Sequence, residues 1–188
     1  KAAHSSLTPQ SVNAVEAAAR LVATIADLAD ELRDHGARHE GFDVPYTTAA
    51  VCRLDGGVAD NIVPELARVH YEFRDLPGLP PGADADALQA RVEQRARALE
   101  PAMQAVDPAS GFRFERFASM PAFSSAPEEP AVRLAQRLAA SRQTTLVAFG
   151  TEAGLFQRAG MSTVVCGPGS IGQAHQADEY VSLEQLAR

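Results

Sequence analysis

Apolar residues recur with the period of an α-helix through residues 12–35, where they form two neighbouring stripes. Asn13 and Glu16 have the spacing of a capping box, and Gly36 stands where a helix of this length would end. The pattern predicts a helix of about six turns with a wide apolar face that covers a sheet. The stripes are Val12, Val15, Ala19, Val22 and Ala26, and Ala18, Leu21, Ile25, Leu28 and Leu32.

Strand patterns follow this helix. Residues 47–54 are rich in β-forming side chains, Asp55-Gly56-Gly57 predicts a turn, and residues 62–73 alternate between apolar and polar. A second helix is predicted to start after Asp84 or Asp86 and to end or kink near Pro101, and residues 112–117 alternate as a half-buried strand. This order predicts a ferredoxin-like βαββαβ unit whose first strand is reduced to residues 1–3.

The pattern changes character near residue 120. Pro130 stands at the predicted first position of a helix, and continuous apolar strands at 146–149 and 163–166 flank a short helix at 151–159. We therefore predict an α+β chain with a lid or dimerisation domain at 1–119 and an α/β remnant of a catalytic domain at 120–188.

Composition narrows the possible functions of this chain. Its 188 residues carry 17 basic and 24 acidic side chains, for a net charge of −7, without a basic cluster. This argues against nucleic acid or an anionic membrane as a partner, and no apolar run approaches the roughly 18 residues of a membrane span. Cys52 and Cys166 lie in apolar contexts, so we expect small buried side chains in a reduced, cytoplasmic protein.

Candidate chemistry is concentrated near the C-terminus. Two predicted strands open into glycine-rich loops, at 149–154 and 164–169, and His175 follows the second loop with Asp178 and Glu179 close behind it. Open α/β sheets bind ligands at such strand ends, and a neutral imidazole there is a natural metal ligand. A lone histidine in a polar loop is also compatible with a simple surface position, since a metal needs several ligands.

The whole segment 149–180 resembles the C-terminal motif of the co-catalytic zinc aminoacylase and carboxypeptidase family, and its Gly-Thr-Glu-Ala-Gly-Leu-Phe-Gln phrase is typical of the acetylornithine deacetylases within it. The resemblance runs from His4 to Tyr180. It implies an amide hydrolase with two zinc or cobalt ions, one of them ligated by His175, and an N-acyl amino acid as the substrate, most simply N-acetyl-L-ornithine in arginine biosynthesis.

The same resemblance implies roles for five further residues. His4, in Lys1-Ala2-Ala3-His4-Ser5-Ser6, would reach across a homodimer formed through the lid and support the tetrahedral oxyanion. Asn61 and Arg74 would orient the substrate carboxylate, together with the turn at Gly150 and Thr151. Without the resemblance, each is an ordinary turn, cap or strand-end residue, with Arg74 beside Asp75.

One departure from the family pattern changes the expectation for this chain. It has no His-x-Asp motif, and Glu128-Glu129 lies between prolines as a helix start. We therefore expect a C-terminal piece of a longer enzyme that by itself is inactive and holds no metal tightly. The alternatives are a sister desuccinylase or carboxypeptidase, and a non-catalytic dimerisation module. Self-association is expected through the first helix and residues 47–53, the edge strand of the predicted order.

Overall fold

A computed structural model of the chain describes residues 1–174 and 176–187, which form two compact units at 1–122 and 123–188. Helices and antiparallel strands are combined, which confirms the predicted α+β class.

The first long helix, α1, spans Ala14–His35 as the apolar stripes predict. Asn13 caps it, because its side-chain oxygen accepts hydrogen bonds from the amides of Val15 and Glu16 at 3.0 and 3.2 Å. Gly36 ends the helix as predicted, with a φ of −66°, so its backbone is not in the left-handed region that favours glycine. Glycine is required for space instead, since a Cβ would lie 2.4 Å from the carbonyl oxygen of Leu32.

Within the described residues, the strands form two separate antiparallel ladders. The short strand β1, Ala3–His4, pairs with β3, Ile62–Val63. The longer β2, Thr48–Gly56, pairs with β4, Ala67–Arg74, with a register shift between Val51 and Arg53. The single strand predicted over 62–73 is therefore broken between β3 and β4.

The core of the first unit lies between the helices and the β2–β4 ladder. The second long helix, α2, spans Ala85–Gln104 and continues through Pro101, where we expected it to end or kink. The buried cluster comes from both helices, with one side of the ladder against it, and consists of Leu21, Ile25, Leu28, Leu32, Leu88, Val92 and Ala96.

Residues 112–117 differ from the prediction. Phe112 and Phe114 pack against the core cluster with the expected alternation, but no strand is assigned to this segment. A β-strand needs a neighbouring strand to which its backbone is hydrogen-bonded, and within the described residues this segment has none. The α+β class is established, whereas the ferredoxin-like arrangement stays a prediction.

The second unit contains helices α3, Pro130–Leu138, α4, Ala153–Arg158, and α5, Leu183–Leu186. Helix α3 starts after Glu129 as the prolines predict. The strands expected at 146–149 and 163–166 are not assigned in the part of the chain that the structure describes, because neither has a paired neighbour there.

Two further expectations concern burial and membranes. Cys52 and Cys166 are both exposed, so the prediction of buried cysteines is wrong. Val51 packs against the core, and because successive residues of a strand point to opposite faces, Cys52 faces away from the helices. Among the described residues, no helix has the length and apolar character needed to cross a membrane.

Candidate functional site

His4 lies at the end of β1, where the chain turns into a 3₁₀ helix over Ser5–Gln10. Its own side chain caps this turn: the Ser6 amide donates to Nδ1 at 3.3 Å, and the Ser6 hydroxyl lies 2.9 Å from the same nitrogen. The side chain is exposed, and among the described residues Nε2 has no hydrogen-bond partner. One ring nitrogen is therefore held by the local turn while the other is available.

Asn61 is brought beside His4 by the short ladder. His4 is in register with Ile62, and the amide of Ser5 donates to the carbonyl oxygen of Asn61 at 3.0 Å. Asn61 is exposed, and no hydrogen bond from the described residues engages its carboxamide. The two residues form one exposed polar corner, which we call the donor corner (His4 and Asn61).

Arg74 ends β4, opposite Thr48 at the start of β2. Its partner is Glu72 and not the expected Asp75: Nε and one terminal nitrogen donate to the two carboxylate oxygens at 2.9 and 3.0 Å. These hydrogen bonds raise the pKa of Arg74 above its usual value. Asp75 instead accepts a hydrogen bond from the amide of Ala85, at the start of α2.

The donor corner and Arg74 belong to opposite ends of the first unit. Asn61 precedes β3, and just after β3 the carbonyl oxygen of Pro64 accepts a hydrogen bond from the amide of Ala14. Ala14 begins α1, and the next residue, Val15, lies against Gly56 at the end of β2. That is the end at which β4 begins. Because a strand rises about 3.3 Å per residue, Arg74 at the end of β4 lies roughly 23 Å from the residue at which β4 begins.

The turn at Gly150 and Thr151 is built as an ordinary helix start. Gly150 is exposed, Thr151 is half-buried, and the hydroxyl of Thr151 accepts a hydrogen bond from the amide of Ala153 at 3.3 Å. Helix α4 then covers only Ala153–Arg158. The threonine therefore satisfies the helix start itself, and an anion would have to share that amide.

The predicted role of His175 as a metal ligand cannot be examined in the described residues. His175 lies outside them, and among the residues that the structure describes no group of three His, Cys, Asp or Glu side chains could hold a metal ion. Catalytic zinc has three protein ligands, so the described residues alone do not fit a zinc centre.

The sequence does not single out Glu72 as the partner of Arg74, and Ser6 enters the sequence analysis only as part of the motif around His4. The signal for Glu72 was available, because residues two apart on a strand face the same side, whereas Asp75 must face the other. The signal for Ser6 was weaker, since only the fold of the turn brings its amide to the ring.

Comparisons with known proteins agree with this architecture. Residues 1–104 match the M20 peptidase dimerisation domain. The chain is 33% identical to an acetylornithine deacetylase of Myxococcus xanthus over 189 residues, which is 100% of this chain and 47% of that protein. It is 32% identical to an acetylornithine deacetylase of Erwinia tasmaniensis over 178 residues, 95% of this chain and 44% of that protein.

A solved structure shows a related fold. The crystal structure of a tripeptidase from Staphylococcus aureus superposes with a TM-score of 0.52 at 19% identity, covering 86% of this chain and 39% of that one. The chain thus spans about half the length of the curated relatives it matches.

Proposed function

The chain belongs to the M20 peptidase dimerisation family, and from this premise we propose that it forms the lid and C-terminal part of an amide hydrolase that removes the acetyl group from N-acetyl-L-ornithine, in the cytoplasm and in arginine biosynthesis. The observation that carries the proposal is the match to two acetylornithine deacetylases, one over all of this chain and the other over 95% of it. The proposed units follow the predicted domains, a lid at 1–119 and part of a catalytic domain from 120 onward.

In this proposal Arg74 binds the α-carboxylate of the substrate. A guanidinium holds a carboxylate through two parallel hydrogen bonds, and Arg74 stands at a strand end with its side chain about half exposed. Asn61 and the turn at Gly150 and Thr151 contribute further hydrogen bonds to the substrate.

His4 supports the developing oxyanion. When the amide carbonyl is attacked, its oxygen becomes negative, and a donor already in position stabilises that charge by roughly 2.7–4 kcal/mol. The available Nε2 of His4 suits this task, because Nδ1 is engaged by Ser6.

The distance along β4 favours a site shared between two copies. One substrate is too small to span the roughly 23 Å between the ends of β4, so His4 and Arg74 serve one site only if they come from different copies. The edge of β2 away from β4 has no paired strand among the described residues, which suits pairing with a second lid.

Mixed dimers test this arrangement. In the full-length gene product, His4→Ala and Arg74→Ala should each lose activity alone. After unfolding and refolding together in equal amounts, half of the dimers combine both variants, and each of these has one complete site, so about a quarter of wild-type activity should return. Recovery no greater than the sum of the two parents would contradict a shared site.

Substrate tests separate the alternatives. Higher kcat/KM for N-acetyl than for N-succinyl amino acids supports the deacetylase, and the reverse supports a desuccinylase. A full-length protein that dimerises but hydrolyses neither would indicate a non-catalytic module.

Dependence on zinc or cobalt rests on the resemblance at His175. We expect the 188-residue chain alone to show neither turnover nor tight zinc binding by calorimetry, because a single imidazole does not make a catalytic zinc site. Stoichiometric zinc in the isolated chain would contradict this. In the full-length protein, His175→Ala should weaken one metal site.

A further inference from the structure

We propose that Ser6 is a positioning residue that fixes the tautomer and the orientation of the His4 ring, so that His4 presents Nε2–H as a hydrogen-bond donor. The inference rests on the proposed role of His4 and names the residue on which that role depends. It follows from two contacts to one ring nitrogen, both made within a single turn of the chain.

The amide contact decides the tautomer. A backbone N–H can only donate, so the nitrogen that receives the Ser6 amide at 3.3 Å must offer a lone pair. In the neutral imidazole only one nitrogen has a free lone pair, and the proton then resides on the other. Nδ1 is therefore the acceptor and Nε2 carries the proton.

The hydroxyl contact decides the orientation. A hydroxyl can donate or accept, so by itself it would suit either tautomer. Because the amide already requires a lone pair on Nδ1, the Ser6 hydroxyl donates to it as well, at 2.9 Å. Two donors from one residue hold the Nδ1 edge of an otherwise exposed ring against the turn.

The consequence is a donor that is oriented before substrate arrives. An exposed imidazole without such contacts exchanges rotamers and tautomers, and only one combination places N–H at the oxyanion. A donor held in place costs no reorganisation during the reaction, which is the condition under which such groups act most strongly.

The chain contains its own comparison. His39 also accepts an amide hydrogen bond at Nδ1, from Gly41 at 3.3 Å, but glycine supplies no hydroxyl. His35 is exposed at the end of α1 and has neither contact among the described residues. Counted as hydrogen bonds to Nδ1, the three histidines therefore represent two, one and none, although the His39 ring also packs edge-on against Phe42 at 5.1 Å between ring centroids.

Ring NMR on the 188-residue chain tests the tautomer directly. At neutral pH, the long-range ¹H–¹⁵N spectrum of wild type should show an unprotonated Nδ1 and a protonated Nε2 for His4, with a smaller minor tautomer than His35. The Hε1 proton, which adjoins Nδ1, should show a nuclear Overhauser effect to Ser6, and Hδ2 should not. A protonated Nδ1, or an effect from Hδ2 in place of Hε1, overturns the proposal.

Variants test the hydroxyl. Ser6→Ala should keep the tautomer, because the backbone amide remains, but weaken the Hε1 contact, and Ser6→Thr should restore that contact. Ser5→Ala is the matched control, since the hydroxyl of Ser5 has no partner in the described part of the chain. A Ser6→Ala ring as ordered as wild type overturns the proposal.

Kinetics of the full-length protein complete the test. Ser6→Ala should lower kcat about fivefold, the factor that corresponds to one ordinary net hydrogen bond, with KM unchanged. Ser6→Thr should recover kcat, and Ser5→Ala should not lower it. Equal losses in the two alanine variants overturn the positioning role. Full activity in His4→Ala instead overturns the proposed function of His4, which the ring spectra do not depend on.

Discussion

Replacing Glu72 by Gln gives the sharpest test of Arg74 as the substrate clamp. In the native chain, the Glu72 carboxylate occupies one edge of the Arg74 guanidinium and places a negative charge beside any incoming carboxylate. Glutamine has nearly the same shape without the charge. If Arg74 binds the α-carboxylate, Glu72→Gln should lower KM, because a competing anion is removed.

The size of the effect follows from exposure. The side chains of Arg74 and Glu72 are 52% and 46% exposed, so water screens their attraction, and such pairs contribute about 0.2–1 kcal/mol. The expected decrease in KM is therefore about 1.5- to 5-fold, with kcat unchanged. It should shrink at 1 M salt, where the Debye length is about 3 Å.

The chain offers a matched control on the neighbouring strand. Arg53 and Asp55 form the same pair two residues apart, with side chains 68% and 43% exposed, at the other end of the ladder. Asp55→Asn should leave KM unchanged. Steady-state kinetics with an acetylated amino acid decide the matter: an unchanged or higher KM in Glu72→Gln, or an equal decrease in Asp55→Asn, would refute the clamp.

Three further predictions concern stability. Leu88 is 1% exposed, so Leu88→Ala should lower the free energy of unfolding in urea titrations by about 3 kcal/mol. Leu138 is 74% exposed, so Leu138→Ala should change that free energy by less than about 0.5 kcal/mol. Thr47→Val should stabilise the fold by about 1 kcal/mol, because the buried hydroxyl of Thr47 has no partner among the described residues. The hydrogen bond from the amide of Phe112 lowers the pKa of Glu100 below its unfolded value, so that contact stabilises at neutral pH and is lost as pH falls through the lowered pKa. The protection factor of the Phe112 amide, which is its exchange rate relative to an unfolded chain at the same pH, should fall there, and in Glu100→Gln already at pH 7.

The helices were predictable because their signals are local. The stripes of α1 and its cap at Asn13 lie within a few turns of each other, and the cap of α2 at Asp84 is equally local. Pro101 misled the prediction, because a proline in the last turn removes one hydrogen bond while the following amides still close normally, as that of Ala105 does on the Pro101 carbonyl.

The strands were less predictable because pairing is not local. Alternation at residues 112–117 correctly indicates which phenylalanines face the core, yet it contains no information about a neighbouring strand. The same holds for 146–149 and 163–166. The burial of Cys52 was predicted wrongly because an apolar run does not show which face of the strand is covered: Val51 faces the helices, so Cys52 faces away from them.

For the candidate site, sequence patterns identify the residues but not the geometry that connects them. His4 is held by its own turn, Asn61 by the β1–β3 ladder and Arg74 by the end of β4, so contacts within residues 1–122 set each position. Those contacts do not bring the donor corner and Arg74 together. Because a rigid ladder keeps the two ends apart, no side-chain rotation in one copy closes the gap. In the proposed enzyme the lid's pairing with a second copy is then a requirement of catalysis as well as of assembly, and a variant that abolishes dimerisation should lose activity as completely as His4→Ala.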